Sequence, residues 1–160
     1  MKYYCRSETP IGQLLLIGEN GLLEKIYFPK AADRAVIEDS WQLNEEPFAE
    51  VLNQLKEYFA GRLQEFHVKM HLQGTDFQVR VWKELQQIPY GHTASYGEIA
   101  KRIDNPKACR AVGGANGKNP IPIIIPCHRI IGSDGSLTGF GGGLDLKKNL
   151  LKREMASFKS

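Results

Sequence analysis

Cys127 and His128, side by side in the run Pro126-Cys127-His128-Arg129-Ile130, are the residues of this sequence best suited to covalent chemistry. The thiolate is the attacking form of cysteine, and a thiol of pKa near ~8.5 is only a few per cent ionised at neutral pH. Attack on an electrophile therefore needs a base or a positive charge beside the sulfur, and His128 and Arg129 are the nearest candidates. Pro126 fixes the backbone ahead of the thiol and removes an amide donor. The apolar run Ile121 to Ile125, broken by Pro122, predicts a short buried extended segment that delivers the cysteine on a stiff support. The opposing reading is a small, buried, inert thiol. Adjacency alone does not decide between them, because neighbouring side chains often point apart.

The rest of the composition narrows the setting. Three cysteines, Cys5, Cys109 and Cys127, make no paired framework in a chain of 160 residues, so no disulfide is expected and the thiols suit a reducing compartment. The N-terminus has no apolar signal core and no run approaches ~20 uninterrupted apolar residues, so a cytoplasmic protein without a membrane partner is expected. His67 and His71 stand four apart in a stretch that alternates rather than repeats helically, and no third ligand accompanies them, so no metal is expected. No cofactor is implied either. The net charge of +3 is unevenly divided. Residues 1–89 carry 10 Lys/Arg against 13 Asp/Glu, and residues 90–160 carry 11 against 5, so the half that holds Cys127 is the basic one. A polyanionic partner fits that asymmetry, as does simple solubility.

These residues need elements to position them. Residues 2–9, 13–18 and 22–28 read as strands separated by Pro10-Ile11-Gly12 and by Asn20-Gly21, a strong hairpin signal, and form an antiparallel meander. After a polar, acidic stretch, Pro47 stands as a first helical residue, with Phe48, Val51, Leu52, Leu55 and Phe59 on the core face of a helix ending at Gly61. Gly74 marks a boundary between lobes. Thr75 with Gln78, and Ser95 with Glu98, are capping boxes that open two helices, the first stopping before Pro89. Asp104-Asn105 turns the chain into Pro106, the expected first residue of a third helix. The second and third helices, joined by a tight turn, look like a helix-turn-helix.

The exposed face of that third helix, Ala108, Ala111, Gly113, Gly114 and Ala115, has almost no side-chain bulk. Such a face permits close backbone approach to a groove without reading base edges, and leaves Arg110 as its one long side chain. Tight helix packing explains the same small residues equally well. Gly132 to Ser136 is a turn, and Gly139-Phe140-Gly141-Gly142-Gly143 a movable rim that lacks the Lys-Ser/Thr ending of a phosphate loop. A last helix over about Leu144 to Met155 carries Lys147, Leu150, Leu151 and Glu154 on one side. An acid on an apolar face needs a partner, which makes Glu154 a candidate to orient His128; an exposed or frayed helix end is the opposing reading.

Three segments then resemble one family: Ser95-Tyr96-Gly97-Glu98-Ile99-Ala100, Asn105 through Ala115, and Asn119 through Ile130. They are similar to the O6-alkylguanine-DNA alkyltransferases, with a looser likeness around Thr9-Pro10-Ile11-Gly12. The resemblance implies an α+β protein: a support lobe over residues 1–74, a small antiparallel sheet with a helix in a ribonuclease-H-like arrangement, and a mostly helical lobe over residues 75–160. It implies a monomer, cooperative or not along DNA, that takes double-stranded DNA containing O6-alkylguanine, O4-alkylthymine being a further substrate to test, and consumes itself in one transfer. Cys127 would accept the alkyl group, His128 would act through a water as base, Glu154 would hold the imidazole, Tyr96 would give a proton to the departing guanine, and Asn119 would brace the site, with Lys147 in the same catalytic set. Arg110 would fill the place of the rotated base, while Ala108, Ala111, Gly113, Gly114 and Ala115 would meet the minor groove. Ile130, Phe140 and Gly141 would line the substrate pocket, and glycine at 141, where some relatives carry a hydroxyl, leaves its width open. A lesion sensor without chemistry, a cysteine hydrolase and a helix-turn-helix regulator are the competing functions.

Overall fold

Asn20 and Gly21, at φ 54° and 74°, make the tight reversal that two-residue hairpins require, and the first strands form around it. The computed structural model describes residues 1–159 and divides into two compact units, Met1–Leu72 and a second that begins at Gln73.

In the first unit, β1 (Lys2–Thr9), β2 (Gly12–Glu19) and β3 (Leu22–Tyr27) pair antiparallel, and β4 (Gln42–Leu43) adds to β1 in parallel, giving the order β3-β2-β1-β4. The register of β2 on β3 shifts between Ile17 and Gly18, where any Cβ on Gly18 would lie 2.6 Å from the Leu22 carbonyl oxygen. Leu14, Leu15, Leu16 and Ile17 are buried in succession, so both faces of β2 are covered. On one face Leu15 and Ile17 pack with Ala32 of α1 (Pro29–Arg34) and with Trp41. That short helix opens the polar, acidic stretch between the third strand and Pro47, for which the sequence suggested no element. The second helix starts later than Pro47 implies: Glu46–Phe48 is a 3-10 turn that leads into α2 (Ala49–Phe59). Its buried side is Val51, Gln54, Leu55 and Tyr58, while Phe59 is only half-buried. Gln54 earns its burial by bonding the backbone of His67 in both directions, at 2.9 Å each.

In the second unit, α3 (Asp76–Leu85) and α4 (Tyr96–Arg102) open on the two expected capping boxes, each with both reciprocal hydrogen bonds formed. The third helix is α5 (Cys109–Gly117), which begins beyond Pro106 because residues 105–108 close a turn, the Ala108 amide bonding the Asn105 carbonyl at 3.0 Å. Trp82 of α3 donates from Nε1 to the Ala115 carbonyl at 2.8 Å, which locks α5 onto α3. Two two-residue strands, β5 (Ala94–Ser95) and β6 (Ile130–Ile131), pair in parallel, and α6 (Leu144–Arg153) closes the unit. The run Ile121 to Ile125 is not extended. It folds into a buried turn, Pro122 bridging Ile125 and Ile123 at φ 74°, a conformation a β-branched residue adopts only when its surroundings hold it there. Among the described residues no helix is long and apolar enough to cross a membrane.

Candidate active site

Asn119 is what holds that strained turn. Its Oδ1 accepts from the Ile121 amide at 3.0 Å and its Nδ2 donates to the Ile125 carbonyl at 2.7 Å, so one side chain ties both ends of the loop. The chain leaves the loop into a 3-10 turn, Cys127–Arg129, and then directly into β6. Because β6 pairs with β5, and β5 runs straight into Tyr96 at the start of α4, two residues of sheet bring the phenol and the thiol segment together. Ile130 takes part in that pairing opposite Ala94 and is 0% exposed, so it supports the strand and does not line an open pocket.

Cys127 is 6% exposed, and burial pushes its thiol up to about 11; the Asn119 side chain, the Lys147 charge and the amides of Cys127 and His128 all pull the other way. A sulfur in this state is about one part in ten thousand thiolate at pH 7. Proton removal must therefore accompany attack. Lys147 is buried on α6, and burial brings its ammonium down to about 8, opposed by Cys127. Its Nζ donates to the Thr138 carbonyl at 3.4 Å and lies 5.9 Å from the centre of the Phe140 ring.

His128 is fully buried, with Nε2 2.7 Å from Oε2 of Glu154. Glu154, just past the end of α6, is 1% exposed and is shared: Arg129 donates to its two oxygens, from Nε at 2.8 Å and from a terminal nitrogen at 3.2 Å. Arg129 also donates to the Ile88 carbonyl at 2.7 Å. Burial disfavours the Glu154 carboxylate, but hydrogen bonds and charge from His128 and Arg129 outweigh it and bring the group down to about 2. Burial lowers the His128 pKa against the opposing pull of Glu154, so the imidazole is neutral at pH 7. An ionised Glu154 then fixes the proton on Nε2 and leaves Nδ1 as a bare acceptor, with no protein hydrogen-bond partner among the described residues. Arg129 is thus committed to Glu154, and the positive charge that acts on the sulfur is Lys147.

The outer face is as small as its sequence. Arg110, Ala111 and Gly114 are exposed along α5, Ala108 and Gly113 are half-buried, and the Tyr96 ring packs on Gly113, where a Cβ would lie 3.6 Å away. Ala115 does not belong to that face: at 3% exposure it turns to the core, where its carbonyl receives Trp82. Beyond the thiol, Phe140 is half-buried and Gly141 exposed. Two neighbours escaped the sequence reading. Asn116 is buried on α5 with its Nδ2 3.5 Å from the Cys127 carbonyl, and Thr138 hydrogen-bonds the Tyr96 hydroxyl through Oγ1. Neither position carries a periodic or local signal.

A profile of the 6-O-methylguanine DNA methyltransferase ribonuclease-like domain matches residues 2–72, and one of the DNA binding domain of the same proteins matches residues 76–156. The chain belongs to this methyltransferase family. A Methanosarcina acetivorans protein named methylated-DNA–protein-cysteine methyltransferase is 54% identical, the match covering 95% of this chain and 97% of the relative. A Mycobacterium tuberculosis relative of the same name is 49% identical over 96% of this chain and 93% of its own. The fold is similar to a crystal structure of a Mycobacterium tuberculosis O6-methylguanine methyltransferase, at a TM-score of 0.86 and 49% identity, covering 97% of this chain and 93% of that one. It is also similar to a Mycobacterium tuberculosis family member solved in complex with DNA, at 0.89 and 48%, covering 96% and 92%. The α+β architecture expected from the sequence is the family's own, and the resemblance read from the three segments is borne out.

Proposed function

We propose that the protein repairs DNA by moving the alkyl group of O6-alkylguanine, a methyl group in the simplest case, onto Cys127 in one irreversible displacement. The observation that carries this reading is a buried thiol influenced by an ammonium and by the Asn119 side chain, followed directly in the chain by a neutral imidazole whose Nδ1 is an unpaired acceptor. The relatives' shared name and the DNA-bound neighbour support the same substrate class.

O6 of a stacked guanine lies out of reach of such a sulfur, so the nucleotide leaves the duplex at a cost of a few kcal/mol, less where alkylation has already weakened its pairing. The bare face of α5 enters the minor groove, and Arg110 takes the vacated place in the stack. His128 Nδ1 receives the thiol proton, relayed by a water, while Lys147 stabilises the sulfur's growing negative charge. Glu154 keeps the imidazole in the tautomer that can accept. Guanine is a poor leaving group as an anion, and the Tyr96 hydroxyl supplies its proton. The thioether formed is stable, so each molecule acts once. Residues 1–74 serve as a supporting lobe and residues 75–160 hold DNA and carry the transfer, in the cytoplasm and as a monomer.

Incubation with duplex DNA containing O6-methylguanine, followed by intact and peptide mass measurement, tests this. One methyl group on Cys127 and no turnover beyond one equivalent is expected; an unchanged mass overturns the reading.

A further inference from the structure

The hydroxyl and the carbonyl of Thr138 are both engaged by groups of the site, although the mechanism above does not use the residue. Its hydroxyl meets the Tyr96 hydroxyl from 42 positions away in sequence, and its carbonyl oxygen accepts from Lys147 Nζ at 3.4 Å. The Tyr96 ring lies near Gly113, where an added Cβ would stand 3.6 Å from it. The phenol is therefore held at its oxygen by the threonine. Thr138 is also the joint between the group on the leaving side, Tyr96, and the cation on the sulfur side, Lys147.

Building on the alkyl-transfer reading, we propose that Thr138 is a positioning residue for guanine departure, its hydroxyl orienting and supporting the Tyr96 phenol as it gives up its proton. In the displacement the Cys127 sulfur–carbon bond forms while the carbon–O6 bond breaks, and the bonding pair leaves with guanine. The Tyr96 proton neutralises that pair. The thiol proton, taken by His128, returns to Tyr96 through solvent, so the proton lost by sulfur equals the one gained by guanine. As the phenol oxygen loses its proton it gains charge, and a hydroxyl donating to it bonds more strongly in the transition state than before. Thr138 suits this task because its β-branch restricts χ1 and its backbone is tied to Lys147.

Thr138→Val keeps the shape and the carbonyl and removes only the hydroxyl. Single-turnover transfer from a duplex carrying O6-methylguanine is expected to fall about tenfold, the upper range for one hydrogen bond. On a duplex carrying O6-methyl-8-azaguanine, whose electron-poorer ring departs more readily without a proton, the loss should stay below about threefold. Thr138→Ser should restore the rate on both, and in a Tyr96→Phe background Thr138→Val should add nothing. The ratio of rates on the two duplexes is independent of how much of a variant is folded. Equal losses on both duplexes, a wild-type rate in Thr138→Val, or a full further loss on top of Tyr96→Phe overturns the proposal. A wild-type protein that takes up no methyl overturns the transfer reading and this one together, whereas methylated wild type with an unimpaired Thr138→Val overturns this one alone.

Discussion

Two of the three cysteines are buried, one in each unit, and their surroundings differ in kind. Cys5 sits at 0% exposure in β1 opposite Leu16, and burial pushes its thiol up to about 12, with Glu45 adding to the rise. Cys127 is raised nearly as far, to about 11. Both sulfurs are out of solvent, at 0% and 6% exposure, so being buried does not tell the two thiols apart. The sign of the neighbouring charge does separate them: a carboxylate faces one sulfur and an ammonium the other. So does a hydrogen bond from the Asn119 side chain, which reaches Cys127 alone of the two. What differs between the two dry sites is what is buried with the thiol.

The largest test of this contrast is to remove each sulfur. Cys127→Ala should abolish methyl uptake from O6-methylguanine DNA, and Cys5→Ala should leave one full equivalent, read by peptide mass; a methyl group on Cys5 would break the comparison. Next comes the carboxylate that serves the reactive side. Glu154→Ala leaves Arg129 and His128 buried without their partner and should cost about 3–5 kcal/mol in urea unfolding. Glu45→Ala, at an exposed position, should change stability by less than about 0.5 kcal/mol.

The same carboxylate predicts a pH dependence. Its folded pKa is about 2 against a reference of 4.5, so its contribution is complete above 4.5 and is lost as pH falls toward 2, on the order of 3 kcal/mol in all. His128 acts earlier in the same direction. Its folded pKa lies below 6.5, so the unfolded chain takes up the proton first and stability begins to fall as pH drops below 6.5. Urea midpoints that stay flat from pH 7 to pH 3 would contradict both assignments. The smallest effect is kinetic. Lys147→Met should slow transfer on the order of tenfold at neutral pH, about one unit of thiol ionisation, and the deficit should shrink above pH 8 as the wild-type ammonium loses its proton.

Local chemistry written within four residues was legible in the sequence. Thr75 with Gln78, Ser95 with Glu98, and Asn20-Gly21 each fold as their side chains dictate. The pairing of Glu154 with His128 was a candidate only, set against an exposed helix end; the acid does fall just past α6, yet it is buried against the imidazole. What failed depended on distant contacts. The apolar run 121–125 suited a strand or a turn equally, and the choice was made by Asn119 bonding both of its ends. Pro106 carried a helix-start signal, but the turn closed by Asn105 displaced the start to Cys109. Ala115 shared its size with the exposed face, and only Trp82, 33 residues away, turned it inward. Thr138 reaches Tyr96 across a separation that no periodicity encodes.

Glu154 follows the last helix, 26 residues after the imidazole it holds. A ribosome therefore completes Cys127 and His128 before it adds Glu154, and a polypeptide stopped between them has the sulfur and the imidazole but no means of fixing the histidine tautomer.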